Sequence, residues 1–211
     1  MARNTGPVCR LCRTEGDKLF LKSERCMTPK CAMEEGRRPE PPGVKHFGRR
    51  RQQSDYKVQL REKQKARRIY CVSEKQFANY YKKSAMKKGI TGEILFQTLE
   101  SRLDNVVYRL GFGKSRTHAR QLVCHGHFNV NGRPTDIPSY ILKKGDVIQV
   151  KDQRRKKGHF RELVNLSPGD CRYRWLEADY VNLSGKFNYA PELPEIDHTI
   201  RPSLIVEFYS R

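Results

Sequence analysis

The chain has 211 residues, enough for one to three small domains, and carries 43 Lys+Arg against 23 Asp+Glu, a formal net charge of +20. That surplus exceeds what solubility needs and implies a polyanionic partner. No apolar run reaches the length of a membrane span and no secretory h-region is present, so a cytoplasmic protein with no membrane partner is expected. The charge is uneven. Residues 45–70 hold 10 basic and 2 acidic residues, residues 101–160 hold 13 and 4, and residues 162–211 hold 5 and 8.

Residues 1–43 show little periodicity and end in the Pro/Gly-rich stretch Arg38–Gly43. So small and polar a segment cannot hold itself together by burial and needs a staple. The pairs Cys9-x2-Cys12 and Cys26-x4-Cys31 suit tetrahedral zinc, each pair gripping one edge of the tetrahedron. One structural zinc ion is expected. An iron–sulfur cluster or four reduced thiols are the alternatives. Seven cysteines, an odd number without secretory context, argue against a disulfide framework, and Cys71, Cys124 and Cys171 read as ordinary reduced residues.

The run Gly43–Arg51 is basic, glycine-rich and unable to bury itself, so it is a candidate to order only on RNA, with a solvated charged linker as the competing reading. Asp55–Tyr70 predicts a basic helix with only Asp55 and Glu62 as compensating acids, so its cations are expected to face phosphate. Ser73-Glu74-Lys75-Gln76 reads as a capping box opening a helix that carries Phe77, Tyr80, Tyr81 and Met86. At helical spacing those residues are core rather than base-stacking platforms. Gly89 closes that helix and Thr91 opens the next, with Ile94, Leu95 and Leu99 inward.

The central stretch Ser101–Lys151 opens with Leu103, Val106, Val107 and Leu110 at i, i+3, i+4 and i+7, and Arg102 and Arg109 are expected on a face beside that stripe. After Gly111 and Gly113, a second helix from Ser115 to about His125 places Ala119, Leu122 and Val123 inward and Lys114, Arg116 and Arg120 outward. Phe128 and Val130 then alternate up to Asn131-Gly132, a type I′ hairpin signal, and Val147–Val150 forms a further strand. Beyond it, Trp175–Asp179 and Gly185–Phe187 read as strand and turn. The apolar ending Leu204–Tyr209 docks into a core as either strand or helix.

Catalytic signatures are wanting. Gly113-Lys114-Ser115 lacks the upstream glycine of a phosphate loop, since position 108 is Tyr108. His125 and His127 read as a helix end and a strand start on the nucleic-acid face, and no carboxylate pair stands in an apolar setting suited to acid–base work. An RNA-modifying enzyme with Ser101–Lys151 as its targeting module is the competing reading. Outside that stretch and the cysteine segment, too little chain remains for its catalytic domain.

Several stretches carry a family resemblance: Ser54–Lys65, Arg67–Tyr70, Asn79–Lys82, Arg102–Gly113, Ala119–Val123, Val130–Arg133, Trp175–Glu177 and Ile205–Arg211. Through them the chain resembles, nearly end to end, the fourth protein of the bacterial small ribosomal subunit. The central stretch alone is less specific, because pseudouridine synthases and a tyrosyl-tRNA synthetase class carry a similar module. The resemblance implies a non-enzymatic ribosomal protein that binds a folded five-way junction in the 5′ domain of small-subunit ribosomal RNA and acts early in assembly. It implies ribosomal proteins five and three as neighbours, a place near the messenger-RNA entry with influence on accuracy, and repression of its own operon's messenger RNA. Some family members bind zinc through four cysteines, and this chain has Cys9, Cys12, Cys26 and Cys31 at those positions. It departs from the family's Pro-Gly-Gln-His-Gly in reading Pro42-Gly43-Val44-Lys45-His46-Phe47-Gly48 beside the arginine run.

An α+β protein is therefore expected: a zinc-binding segment (1–43), a basic helical domain (44–100) completed by the tail 180–211, and an RNA-binding module of two helices and a small antiparallel sheet (101–179, core 101–151). Arg49, Arg50, Arg51, Lys57, Arg61, Lys65 and Arg68 are expected to clamp phosphates. Arg102, Lys114, Ser115, Arg116, Arg120, Asn131 and Arg133 are expected to hold RNA from the module.

Overall fold

A computed structural model describes residues 6–34, 36, 39–43, 54–156, 158–166, 171–196 and 199–211. Arg49, Arg50 and Arg51 lie outside the described residues. The chain divides into two compact units, residues 1–94 with 198–211, and residues 95–197.

The first unit is helical. Helix α1 (Cys9–Glu15) ends at Gly16 in the left-handed region, φ +72°, where a glycine costs least. Helix α2 (Asp55–Ile69) starts at Ser54, whose side chain accepts from the Lys57 N–H, and carries Asp55 in its first turn and Arg67 and Arg68 in its last. That polarity suits the helix dipole. Helix α3 (Glu74–Ala85) is capped by Ser73, which accepts from the Gln76 N–H. The Gln76 amide donates to the Tyr80 hydroxyl. Phe77 and Tyr80 are buried as expected, but Met86 falls just past the helix end and is 84% exposed. Helix α4 (Thr91–Glu100) runs from the first unit into the second.

The ending Leu204–Tyr209 belongs to a helix, α9 (Pro202–Tyr209), packed along α2. Phe208 meets Tyr56 at 5.6 Å between ring centroids, Tyr209 stacks on Tyr81 at 4.6 Å, and the Gln59 amide donates to Glu207 over 2.9 Å. Gly92 allows α4 to approach Pro202 so closely that a Cβ would lie 2.8 Å from the proline Cβ.

The second unit packs α5 (Leu103–Arg109) and α6 (Arg116–Cys124) against one antiparallel sheet. Its strands are β1 (Phe128–Val130), β2 (Arg133–Thr135), β3 (Val147–Val150), β4 (Leu176–Asp179) and β5 (Ser184–Phe187), in the order β2-β1-β3-β5-β4. Two short helices, α7 (Asp152–Arg155) and α8 (Gly158–Leu166), connect β3 to β4. Asn131 (φ +49°) and Gly132 (φ +77°) form the turn between β1 and β2, as a type I′ hairpin requires. Residues 180–197, expected with the helical domain, lie in this unit because β5 fills the place between β3 and β4.

The core explains the alternation. Phe128, Val130, Ile148, Val150 and Phe187 point to one side of the sheet and meet the Leu103, Val106, Val107 and Leu110 stripe of α5. Gly185 pairs with Ile148 directly beneath Leu110, where a Cβ would come within 2.5 Å of that leucine's Cδ1.

Candidate RNA interface

The cations proposed to clamp phosphate divide sharply by partner. On α2, Lys57 is exposed, with no ammonium partner among the described residues. Lys65 is buried and bonds to the Asp17 carboxylate and, over 3.3 Å, to the Thr199 carbonyl. Arg68 pairs with Glu15, whose side chain is nearly fully buried, and Arg61 approaches the same carboxylate at 3.6 Å. Burial pushes the Glu15 carboxyl above its usual range, and Arg68, Arg61 and Lys65 only partly oppose this. Three of the four α2 cations expected to clamp phosphate thus hold α1 and its following turn against α2.

The central module shows the same division. Arg102 precedes α5 in extended backbone (φ −70°, ψ 139°), so the helical period starts only at Leu103 and cannot place Arg102 beside Arg109. Its side chain is fully buried and donates to Asp104 through Nε at 3.0 Å and a terminal nitrogen at 2.6 Å. Arg120, expected to face outward, is buried and donates to the same Asp104 at 3.1 Å. One carboxylate between two guanidiniums joins α5 to α6, which is why Arg120 turns inward. Arg109 donates to the fully buried Glu100 at 3.0 and 2.7 Å and to the Tyr173 hydroxyl at 2.6 Å.

Ser115 is the cap of α6, accepting from the His118 N–H at 3.2 Å. Lys114 stands exposed beside it, its backbone N–H donating to His118 Nδ1 over 3.2 Å. Arg116 is half-buried: its Nε donates to Asn105 Oδ1 at 2.8 Å and its guanidinium lies 4.6 Å from the Tyr108 ring centre. Asn105 in turn donates to Glu100, so Arg116 is held through a buried amide and carboxylate. Asn131 donates to Asp146 and accepts from the Val147 N–H, both at 2.9 Å, and pins the β1–β2 turn to β3. Arg133 is exposed on the edge strand β2. Asp104, Asn105 and Glu100 were missed by sequence reasoning; Asp104 and Asn105, polar residues set inside the apolar stripe between Arg102 and Arg109, were a usable signal, and Glu100, ahead of both arginines, carried none.

The histidines have other duties. His127 is buried against Phe160, ring centroids 5.7 Å apart, and not on a nucleic-acid face. His118 meets His159 edge-on at 4.7 Å, and burial, the His159 charge and Lys114 together depress its pKa. In the first unit Cys12, Cys26 and Cys31 are buried and Cys9 is half-buried. Burial pushes the Cys12 thiol up, an N–H bond from Leu19 opposes this, and the charges of Cys26, Cys9 and Cys31 add to it. The Lys22 N–H donates to Cys26 Sγ over 3.3 Å. No group of three or more Cys, His, Asp or Glu among the described residues, however, is drawn closely enough to hold a metal ion.

A paired-helix module on a small antiparallel sheet in one unit and a basic helical bundle in the other, with exposed cations on each, define an RNA-binding protein. The family described as "Ribosomal protein S4/S9 N-terminal domain" matches residues 3–100, and the S4 domain matches residues 101–148. The small ribosomal subunit protein uS4 of Thermus thermophilus is 52% identical over 211 residues, all of both chains. Those of Acetivibrio thermocellus and Natranaerobius thermophilus are 53% and 52% identical, again over the whole of each chain. The chain belongs to the uS4 family of small-subunit ribosomal proteins, which are structural proteins and not enzymes.

Proposed function

We propose that the protein is a primary binder of the 5′ domain of small-subunit ribosomal RNA, gripping a folded junction from both of its units and nucleating subunit assembly in the cytoplasm. The observation that carries this reading is membership of the uS4 family over the whole chain, together with exposed cations on each unit, Lys57 on the first and Lys114 and Arg133 on the second. Such contacts go mainly to phosphate and ribose, because a folded RNA helix hides its base edges in a deep, narrow groove. Arg49, Arg50 and Arg51 would extend the clamp from the first unit. Ribosomal proteins five and three as neighbours, a place near the messenger-RNA entry with an effect on accuracy, and repression of the protein's own messenger RNA belong to the same reading and rest on the family resemblance.

Binding to 5′-domain RNA, measured across salt concentrations with footprinting at the tightest condition, tests the proposal. Several phosphate contacts predict a log–log slope steeper than about −3. A flat salt response, or protections scattered evenly along the RNA, refutes it.

The four cysteines are proposed to hold one structural zinc ion, with Cys9, Cys12, Cys26 and Cys31 as a closed ligand set. Support comes from their paired spacing, from the burial of Cys12, Cys26 and Cys31, and from the Lys22 N–H already aimed at Cys26 Sγ. Zinc would cross-link a segment that has little core of its own. Elemental analysis of anaerobically purified protein should find one zinc per chain, lost in Cys26→Ser. Absence of zinc, or iron in its place, refutes the assignment.

A further inference from the structure

Among the exposed cations of the first unit, four lysines cluster at a place that none of the expected contacts includes. We infer that the corner between α3 and α4, residues 82–90, is an additional RNA-binding site, with Lys82, Lys83, Lys87 and Lys88 on phosphates and Met86 and Ile90 covering ribose between them. This inference rests on the RNA-binding reading above and extends it to a new surface.

All four lysines are exposed, and among the described residues none of their ammonium groups has an ion-pair or hydrogen-bond partner. From Lys75 to Gly92 the chain contains no Asp or Glu. Lys63, Lys65, Arg61, Arg67 and Arg68 nearby in sequence are all spent on Glu74, Asp17 or Glu15. An ordinary solvated face interleaves both signs and keeps large apolar groups covered. Here Met86 is 84% exposed and Ile90 66% exposed, set among the lysines.

The corner is also built rather than loose. Phe77, Tyr80 and Ser84 bury the opposite side of α3. Gly89 takes φ +123°, a value that only glycine adopts easily, and turns the chain so tightly that a Cβ there would lie 3.3 Å from the Ile94 side chain. Gly92 against Pro202 fixes the start of α4. A fixed knob of four cations around two apolar groups matches a sugar–phosphate backbone, whose charges flank a less polar ribose. An acidic protein surface is the competing occupant.

The test compares the full-length protein with Lys87→Ala/Lys88→Ala and with Met86→Ser, on 5′-domain RNA at several salt concentrations. The lysine pair should lower affinity several-fold at moderate salt and make the log–log salt slope shallower by about 1–2. Met86→Ser should weaken binding with the slope unchanged. Unfolding temperatures should match the wild type, since every substituted side chain is exposed. A slope equal to wild type in the lysine variant overturns the inference. So does normal RNA binding coupled to a defect only when the other subunit proteins are present, which assigns the corner to a protein. Failure of the wild-type protein itself to bind the RNA refutes the underlying function instead.

Discussion

Replacing Glu100 should unfold the second unit far more readily than its single charge suggests. Glu100 is fully buried and receives two hydrogen bonds from Arg109, at 3.0 and 2.7 Å, and one from Asn105. Glu100→Leu takes from the Arg109 guanidinium, itself 7% exposed, the carboxylate that accepts two of its hydrogen bonds. Removing one partner of a buried ion pair costs about 3–5 kcal/mol. For a unit of about 100 residues that corresponds to a fall in Tm of about 12–40 °C. The chain's one tryptophan, Trp175, is buried in this unit 5.8 Å from Tyr173, so its fluorescence during denaturant unfolding reports this transition selectively. Combining Glu100→Leu with Arg109→Leu removes both charges. The double variant should then be more stable than either single one, because well-packed apolar replacements of a buried pair are often close to neutral. A single Glu100→Leu cost below about 1 kcal/mol, or strict additivity in the double variant, would refute the argument.

The other predictions follow from close approaches and shared anions. Gly113→Ala places a Cβ 2.7 Å from the Ala119 Cβ and 2.8–2.9 Å from its backbone, so it should cost about 1–3 kcal/mol by the same fluorescence assay. Gly158→Ala, whose Cβ meets nothing within 4 Å, should be no less stable than wild type. Burial opposes the charge of Glu74, but hydrogen bonds from Lys63 and Tyr209 outweigh it and hold the carboxyl below its usual 4.5. A depressed carboxyl contributes stability above pH 4.5 that is lost as pH falls through the folded-state value, so Glu74→Gln should flatten the acid limb of a stability–pH curve. An unchanged acid limb would refute that. Arg133→Ala should keep Tm and make the RNA-binding salt slope shallower by about 1. Arg102→Ala, which strips Asp104 of a fully buried partner, should lower stability by about 3–5 kcal/mol. Equal effects of the two on Tm would remove the distinction between surface and internal arginines.

Local signals were legible and non-local ones were not. Asn131-Gly132 announces its turn because the conformation belongs to those two residues, and the α5 stripe announces its buried face because the period runs through seven consecutive positions. Leu204–Tyr209 stayed undecided because an element of eight residues with apolar side chains nearly all round has no period to read. The place of β5 depended on a partner 37 positions earlier in the chain, Ile148 opposite Gly185, and no local pattern carries that. Partner choice among the cations was equally hidden. Lys65 and Arg68 find Asp17 and Glu15 across separations of 48 and 53 residues, in a segment that reads on its own as a cysteine-rich appendage.

Those hidden pairings change how a strongly basic chain should be understood. Among the described residues three carboxylates each hold two cations: Glu15 holds Arg61 and Arg68, Glu74 holds Lys63 and Arg67, and Asp104 holds Arg102 and Arg120. With acids this scarce, the position of each carboxylate decides which neighbouring cations are committed to the fold and which stay available to RNA. A helix such as α2 can therefore be the most basic stretch in its domain and still offer little to phosphate, while the acid-free corner at residues 82–90 offers four lysines. Removing one exposed lysine subtracts a single contact. Removing Glu15 or Asp104 takes a bonded carboxylate from two buried or half-buried guanidiniums at once, so the few acids of this chain are the residues on which its basic surface depends.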